Sequence, residues 1–238
     1  TFVFDKQKLE EREINNYESI SYPFIPKFYG IIQRYNQHRS IVMEFINGQT
    51  LNCSTIIEMK IEDKIKIILE ILYTFRYLHN IKYIYRDFKD DNIIIDQNQH
   101  IVLIDFDRMI KKDNDFENNK IFTKDLNSIF VDPLIKENEC IPSFQNDIYS
   151  IGIMIYYIFT GNLPMENKST KNCDEKVEEF KMKYSNIYNI YVECINNDPK
   201  KRPSLNRLIN YFSKYDINVD CNILKNKISF IRFADCLV

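Results

Sequence analysis
The sequence predicts an α+β fold in two lobes, a small one made of a helix and short antiparallel strands and a larger, mainly helical one. Three patterns carry that prediction. Residues 27–34 and 39–45 read as paired strands joined by the polar turn Tyr35-Asn36-Gln37-His38. Ile61, Ile65, Ile68, Leu72, Phe75 and Leu78 recur in steps of three and four, the spacing of a long amphipathic helix. Residues 147–159 leave almost no polar face, which suits a helix at the centre of a domain. A chain of 238 residues is long enough to bury a sizeable core. The expected boundaries are 1–46 for the small lobe, 47–214 for the large one and 215–238 for a C-terminal tail.

Taken in order, Phe2-Val3-Phe4 reads as the tail of a strand already under way, so the chain is expected to be a fragment at its N-terminus. Residues 6–19 favour helix, with Leu9, Glu13 and Tyr17 every four positions on one face. Pro23 and Pro26 end that helix, because proline lacks a backbone donor and disfavours helical geometry in the residue before it. After the strand ending Met43-Glu44-Phe45-Ile46, the turn Asn47-Gly48-Gln49 reads as a hinge between the lobes. Residues 108–134 form a long polar connection, and connections of that length are usually functional or disordered. Further helices are expected at 174–183, 186–195 and 204–214, the last with Ser204 as N-cap after Pro203. Beyond Tyr215 only Ile228-Ser229-Phe230-Ile231 is apolar enough to dock.

Charge and cysteine usage narrow the function classes. A net charge of -2 with balanced acids and bases gives no polyelectrolyte signature, so neither a nucleic-acid groove nor an anionic membrane surface is indicated. The apolar run 147–159 is too short for a membrane span, which needs roughly 20 residues. Six cysteines are scattered with no C-x-x-C pair, a pattern that fits reduced thiols in a cytoplasmic protein. His38, His79 and His100 suggest no metal site.

The chemistry is concentrated at Tyr85-Arg86-Asp87-Phe88-Lys89-Asp90-Asp91-Asn92 and at Asp105-Phe106-Asp107. The apolar run 101–104 between them predicts a hairpin that brings Asp87 and Asp105 together. Two acids and an amide offer the hard oxygen ligands that Mg²⁺ prefers, so the stretch reads as a phosphoryl-transfer centre. Taken singly, each would pass as an ordinary turn residue.

These segments resemble the signature set of eukaryotic protein kinases of the Ser/Thr type. Residues 85–92 follow the catalytic-loop pattern H-R-D-L-x-x-x-N, with Tyr85 for histidine and Phe88 for leucine, both keeping an apolar ring. Asp105-Phe106-Asp107 follows D-F-G without its glycine. Residues 42–46 resemble the last small-lobe strand and hinge, 147–152 the D-x-Y-S-x-G start of the central helix, and 198–203 the D-P-x-x-R-P turn. Asp132-Pro133-Leu134 stands where A-P-E is expected, so the acid that pairs with Arg202 is missing from its usual place, with Glu137 or Glu139 as substitutes. The lysine of V-A-I-K and the loop G-x-G-x-x-G find no match.

The resemblance implies ATP and Mg²⁺ as cofactors and a protein Ser/Thr hydroxyl as acceptor. Asp87 would take or orient the hydroxyl proton, Lys89 offset charge on the γ-phosphate, and Asn92 and Asp105 hold the metal. Backbone groups of Glu44 and Ile46 would bind adenine, with Met43 behind it and Leu51 and Ile94 beneath. Glu13 would pair with the strand lysine. Tyr17, Phe28, Tyr85, Phe106 and Asp147 fall where the family stacks its regulatory spine. Arg86 would meet a phosphate on Thr123, with Ser128 facing the substrate. Two other readings stand beside this one: a pseudokinase scaffold, suggested by Asp107, Leu134 and the missing lysine, and a small-molecule kinase, against which the motifs at 147–152 and 198–203 argue.

Overall fold
The computed structural model describes residues 2–5, 11–33, 39–112, 128–136, 141–164 and 171–215. Strands β1 (Phe2–Asp5) and β2 (Phe28–Gln33) flank β3 (Arg39–Met43) in an antiparallel sheet of order β1-β3-β2. The expected first strand and the expected hairpin are therefore both present. Helix α1 (Glu11–Ser19) lies between β1 and β2 in the chain, and it buries Ile14, Asn16 and Tyr17. Its expected first turn, with Leu9, lies outside the described residues, as does the turn 35–38. Past the helix, the segment holding Pro23 and Pro26 buries Phe24, whose carbonyl accepts the Leu103 N–H at 2.8 Å.

Strand β4 (Gly48–Thr50) leads into the short helix α2 (Cys53–Glu58), which the sequence reading left unassigned. Six residues carry too little periodicity to be read, yet the Asn52 side chain caps the helix by accepting the Thr55 N–H at 3.0 Å. Helix α3 (Ile61–Asn80) buries Ile65, Ile68, Leu72, Phe75 and Leu78 as its spacing predicts. Strands β5 (Tyr83–Ile84) and β8 (Ile110–Lys111) pair with each other. Strands β6 (Ile93–Asp96) and β7 (Ile101–Leu103) complete a sheet of order β4-β6-β7. Glu70, fully buried on α3, accepts the Ile101 N–H at 2.9 Å and meets His100 Nδ1 at 2.5 Å, so the helix holds this hairpin through a satisfied polar pair.

After α4 (Pro133–Lys136), helix α5 (Phe144–Thr160) is buried along nearly its whole length, touching α2, α3, α6 (Lys171–Lys183) and α7 (Ser185–Cys194). It starts one turn earlier than its apolar run, because the Asn146 side chain accepts the Ser143 N–H at 2.6 Å and supplies the missing partner at the helix end. Gly152 allows α7 to come close: a Cβ there would lie 2.5 Å from that of Cys194. Helix α8 (Leu205–Phe212) packs on α3, and Ser204 caps it as expected, accepting the Arg207 N–H at 3.3 Å. Among the described residues the main apolar core runs from Tyr17 to Phe212, with smaller clusters at Ile84 and Ile110 and at Val131 and Ile135. Among the described residues no helix is long and apolar enough to cross a membrane.

Among the described residues Arg202 has an acidic partner. Arg202 pairs through Nη1 with Asp132 Oδ2, and both side chains are almost completely buried. Asn146 Nδ2 donates to the same oxygen at 2.7 Å, and Arg202 Nε reaches the Asn196 carbonyl at 2.9 Å. The tether thus falls two residues upstream of the position the family pattern suggests, while Glu137 and Glu139 lie outside the described residues. Arg202→Ala strands a buried carboxylate, so chemical denaturation should show a loss of about 3–5 kcal/mol.

Candidate active site
The segment between β5 and β6 closes in a 3₁₀ turn over Asp90–Asn92. Strand β7 returns antiparallel to β6, and the Ile104 N–H reaches the Asn92 carbonyl at 3.0 Å. That bond sets Asp105 beside the end of the polar loop, as the hairpin reading requires. Within the loop, Lys89 Nζ donates to Asp87 Oδ2 at 3.1 Å, and Asn92 Nδ2 donates to the Asp87 carbonyl at 2.7 Å and to Oδ2 at 3.2 Å. Asp87 is 8 % exposed. Arg108 adds a second cation, its Nε 4.0 Å from Asp87 Oδ2.

Two backbone positions in the site are strained. Arg86 has φ +72° and Asp105 φ +64°, a region that non-glycine residues rarely occupy and that persists only where the surroundings over-determine it. At Arg86 the constraint comes from Asp147, fully buried near the start of α5. Its two oxygens accept the Tyr85 and Arg86 N–H groups, each at 3.0 Å, and Oδ2 meets His79 Nε2 at 2.8 Å. His79 is thereby satisfied within the fold. Asp107 does not share the positive φ of Asp105, so the backbone at this point does not call for the glycine of the family pattern.

A column of rings backs the site. Phe28 stacks on Tyr17 with centroids 6.2 Å apart, Tyr17 meets Phe106 edge-on at 5.7 Å, and Phe106 meets Tyr85 edge-on at 5.6 Å. The five residues singled out in the sequence for a spine are therefore contiguous, with Asp147 bonded beneath Tyr85. Tyr85 does more than pack: its hydroxyl donates to the Ile104 carbonyl. Burial, and then the charges of Asp105 and Asp87, hold that phenol well above its ordinary pKa, so it stays protonated and remains a donor.

The remaining candidates are spread more widely. Met43 ends β3 half-buried, and the Glu44 N–H is donated to the Lys27 carbonyl at 2.8 Å. Ile46 and Ile94 are half-buried, whereas Leu51 is 2 % exposed and belongs to the core, its N–H bonded to the Ile93 carbonyl at 2.9 Å. Arg86 Nη1 donates to the Arg108 carbonyl at 3.4 Å, and Ser128 is half-buried. Glu13 falls on α1, with its side chain outside the described residues, and Thr123 lies outside them altogether. Sequence reasoning missed Arg108, the Tyr85 hydroxyl, Asp132 and Asn16. Only Asn16 carried a readable signal, a polar residue on the buried face of α1. Among the described residues no cluster of His, Cys, Asp and Glu forms a metal site by itself.

A family model for the protein kinase domain matches residues 4–212. The chain belongs to this family. It is 29 % identical over 209 residues to a probable serine/threonine-protein kinase of Dictyostelium discoideum, covering 80 % of this chain and 12 % of that protein. The serine/threonine-protein kinase polo of Drosophila melanogaster is 24 % identical over 214 residues, covering 84 % of this chain and 35 % of polo. Developmentally-regulated protein kinase 1 of Dictyostelium discoideum is 28 % identical over 223 residues, covering 85 % and 29 %. The chain thus spans about a third or less of the length of these relatives. Within the protein kinase pattern, the Tyr85 hydroxyl is a feature of this chain with a measurable consequence. Tyr85→Phe keeps the ring and removes one buried donor, so its stability loss, read by denaturant titration, should be about 1–3 kcal/mol.

Asp90 occupies the loop beside Asp91. Burial, and secondarily the Asp91 charge, raise its carboxyl pKa, and Tyr157 is pushed up to about 12 by burial and by Asp90. A raised carboxyl pKa means that folding penalises the ionised form, so the penalty is present at neutral pH and disappears once the group is protonated. Asp90→Asn should therefore raise the melting temperature at about pH 7, and the gain should shrink toward zero as pH falls below about 4.

Proposed function
We propose that the chain is an ATP-dependent protein serine/threonine kinase domain that transfers the γ-phosphoryl group of Mg-ATP to a Ser or Thr hydroxyl of a protein. The observation that carries this reading is the bonding of Lys89 and Asn92 to one carboxylate, Asp87, beside a strained Asp105. The names of the relatives and the lysine two residues past Asp87 support Ser/Thr acceptors.

The donor set fits Mg²⁺. Because the Asn92 amide nitrogen faces Asp87, its Oδ1 is the atom left for a cation, and with Asp105 it makes an all-oxygen pair of the kind this ion takes. Bound Mg-ATP would supply the transferable phosphoryl group and neutralise its charge. Asp87 would accept the hydroxyl proton or orient the hydroxyl, held in place by Lys89, which would turn to the γ-phosphate when nucleotide is present. A ligand that reads Glu44 would read its carbonyl, since the N–H is taken by Lys27. Ile46 would add a backbone contact, with Met43 and Ile94 flanking the base and Leu51 as the floor behind Ile94. Glu13 would pair with a strand lysine, and Arg86 would take a phosphate on Thr123.

The proposed organisation keeps residues 1–46 as a partial small lobe, 47–214 as the large lobe and 215–238 as a tail. A cytoplasmic setting is proposed from the free thiols of Cys53 and Cys194. A pseudokinase scaffold is the second reading. Two of its three sequence arguments, those from Asp107 and Leu134, weaken against an Asp107 backbone without positive φ and an Asp132 that meets Arg202; the argument from the strand lysine stands.

In the full-length protein, Asp87→Asn should lower Mg-ATP-dependent phosphate transfer to a Ser/Thr substrate by about 10²–10⁴-fold. Asp105→Ala should weaken Mg-dependent nucleotide binding, measured by calorimetry. Transfer that survives Asp87→Asn, or nucleotide binding indifferent to Asp105→Ala, would exclude the mechanism.

A further inference from the structure
Asn16 is 3 % exposed on α1, beside the buried Tyr17. A carboxamide buried on an apolar helix face is costly unless its polar atoms are bonded. Here the Nδ2 group donates to the Phe106 carbonyl at 3.0 Å and to the Met109 carbonyl at 2.9 Å, about ninety positions away. Both partners are acceptors only, so the amine end must face them.

Those two carbonyls are the first and last of one turn, Phe106-Asp107-Arg108-Met109, which closes on itself through a Met109 N–H to Phe106 carbonyl bond of 3.3 Å. The closure is long, and the Asn16 amine spans both ends of it. Tyr17 works alongside: its ring lies against Phe106, and its hydroxyl is 3.4 Å from the Phe106 N–H. Phe106 directly follows Asp105, the residue at φ +64°. Two successive residues of α1 therefore grip the residue that sets the direction of the Asp105 carboxylate.

We propose that Asn16 is a positioning residue that clamps the turn after Asp105 and makes the orientation of that carboxylate depend on the placement of α1. The proposal rests on the phosphoryl-transfer reading for its effect on activity. The clamp stands where the family pattern has a glycine and this chain has Asp107, so an added side-chain bridge holds a turn that the local sequence does not specify.

Two substitutions in the full-length protein test this. Asn16→Leu removes the donors and keeps the volume; Asn16→Asp keeps the shape and sets an acceptor against two carbonyl oxygens. Both should speed amide hydrogen exchange at residues 107–109, and both should raise the Mg²⁺ concentration for half-maximal transfer about tenfold, the scale of one or two lost hydrogen bonds. KM for the protein substrate should change less than twofold. Unchanged exchange in either folded variant overturns the clamp. Faster exchange with an unchanged Mg²⁺ requirement overturns the link to Asp105. A loss of transfer that merely follows a lower melting temperature, with KM rising in step, marks Asn16 as structural only and also overturns it. A wild-type protein that transfers no phosphate with Mg-ATP removes the phosphoryl-transfer reading instead, and the exchange measurement still decides whether Asn16 holds the turn.

Discussion
The carboxylate of Asp147 has no contact with solvent, yet it accepts two backbone N–H groups and meets one imidazole nitrogen. A carboxylate so placed would be prohibitive without partners, and with them it becomes a rigid anchor. Its anchorage is α5, the most deeply buried helix among the described residues. Through Tyr85 and Arg86 it holds a backbone turn that would not form unaided, and the position of Asp87 follows from that turn. The central helix and the polar loop are thus one mechanical unit, although about sixty residues separate them.

From that anchor the ring column leads away toward the first sheet. Phe75, Tyr85, Phe106, Tyr17 and Phe28 meet in edge-on and stacked pairs, geometries in which aromatic contacts add to simple burial. Hydrogen bonds run beside the rings, from the Tyr85 hydroxyl to Ile104 and from Asn16 to the turn after Phe106. The packing supplies most of the cohesion and the polar bonds supply direction. Hydrophobic contact is tolerant of small rotations, whereas a carbonyl shared between two donors is not.

At three of the places where the chain departs from the family pattern, a polar group acts. Tyr85 stands for histidine and still donates a hydrogen bond into the site. Asp107 stands for glycine, in a turn whose ends Asn16 bridges. Leu134 stands for the acid that Arg202 needs, and Asp132 meets Arg202 instead, with Asn146 on the same oxygen. In each case a polar side chain links two segments of the fold.

Much of the fold was legible from residue order. The stripe on α3, the run that became α5, the hairpin of β2 and β3 and the Ser204 cap all follow from local periodicity and end chemistry, which act over a few residues and leave a direct trace in the sequence. The spacing from Asp87 to Asn92 and Asp105 was legible for the same reason, since a short loop and a two-stranded return fix distances locally. Short α2 was not, because six residues give no period. Nor were the Asp132 to Arg202 pair, the Tyr85 hydroxyl's acceptor, the core position of Leu51 and the reach of Asn16. Each of these joins residues far apart in the chain, and a buried polar side chain finds its partner only after the helices and strands around it have packed. The sequence by itself determined which groups stand in the loop of Asp87 and which elements carry them; the tertiary structure alone decided what holds each one still, because that depends on side-chain contacts between elements that no local pattern encodes.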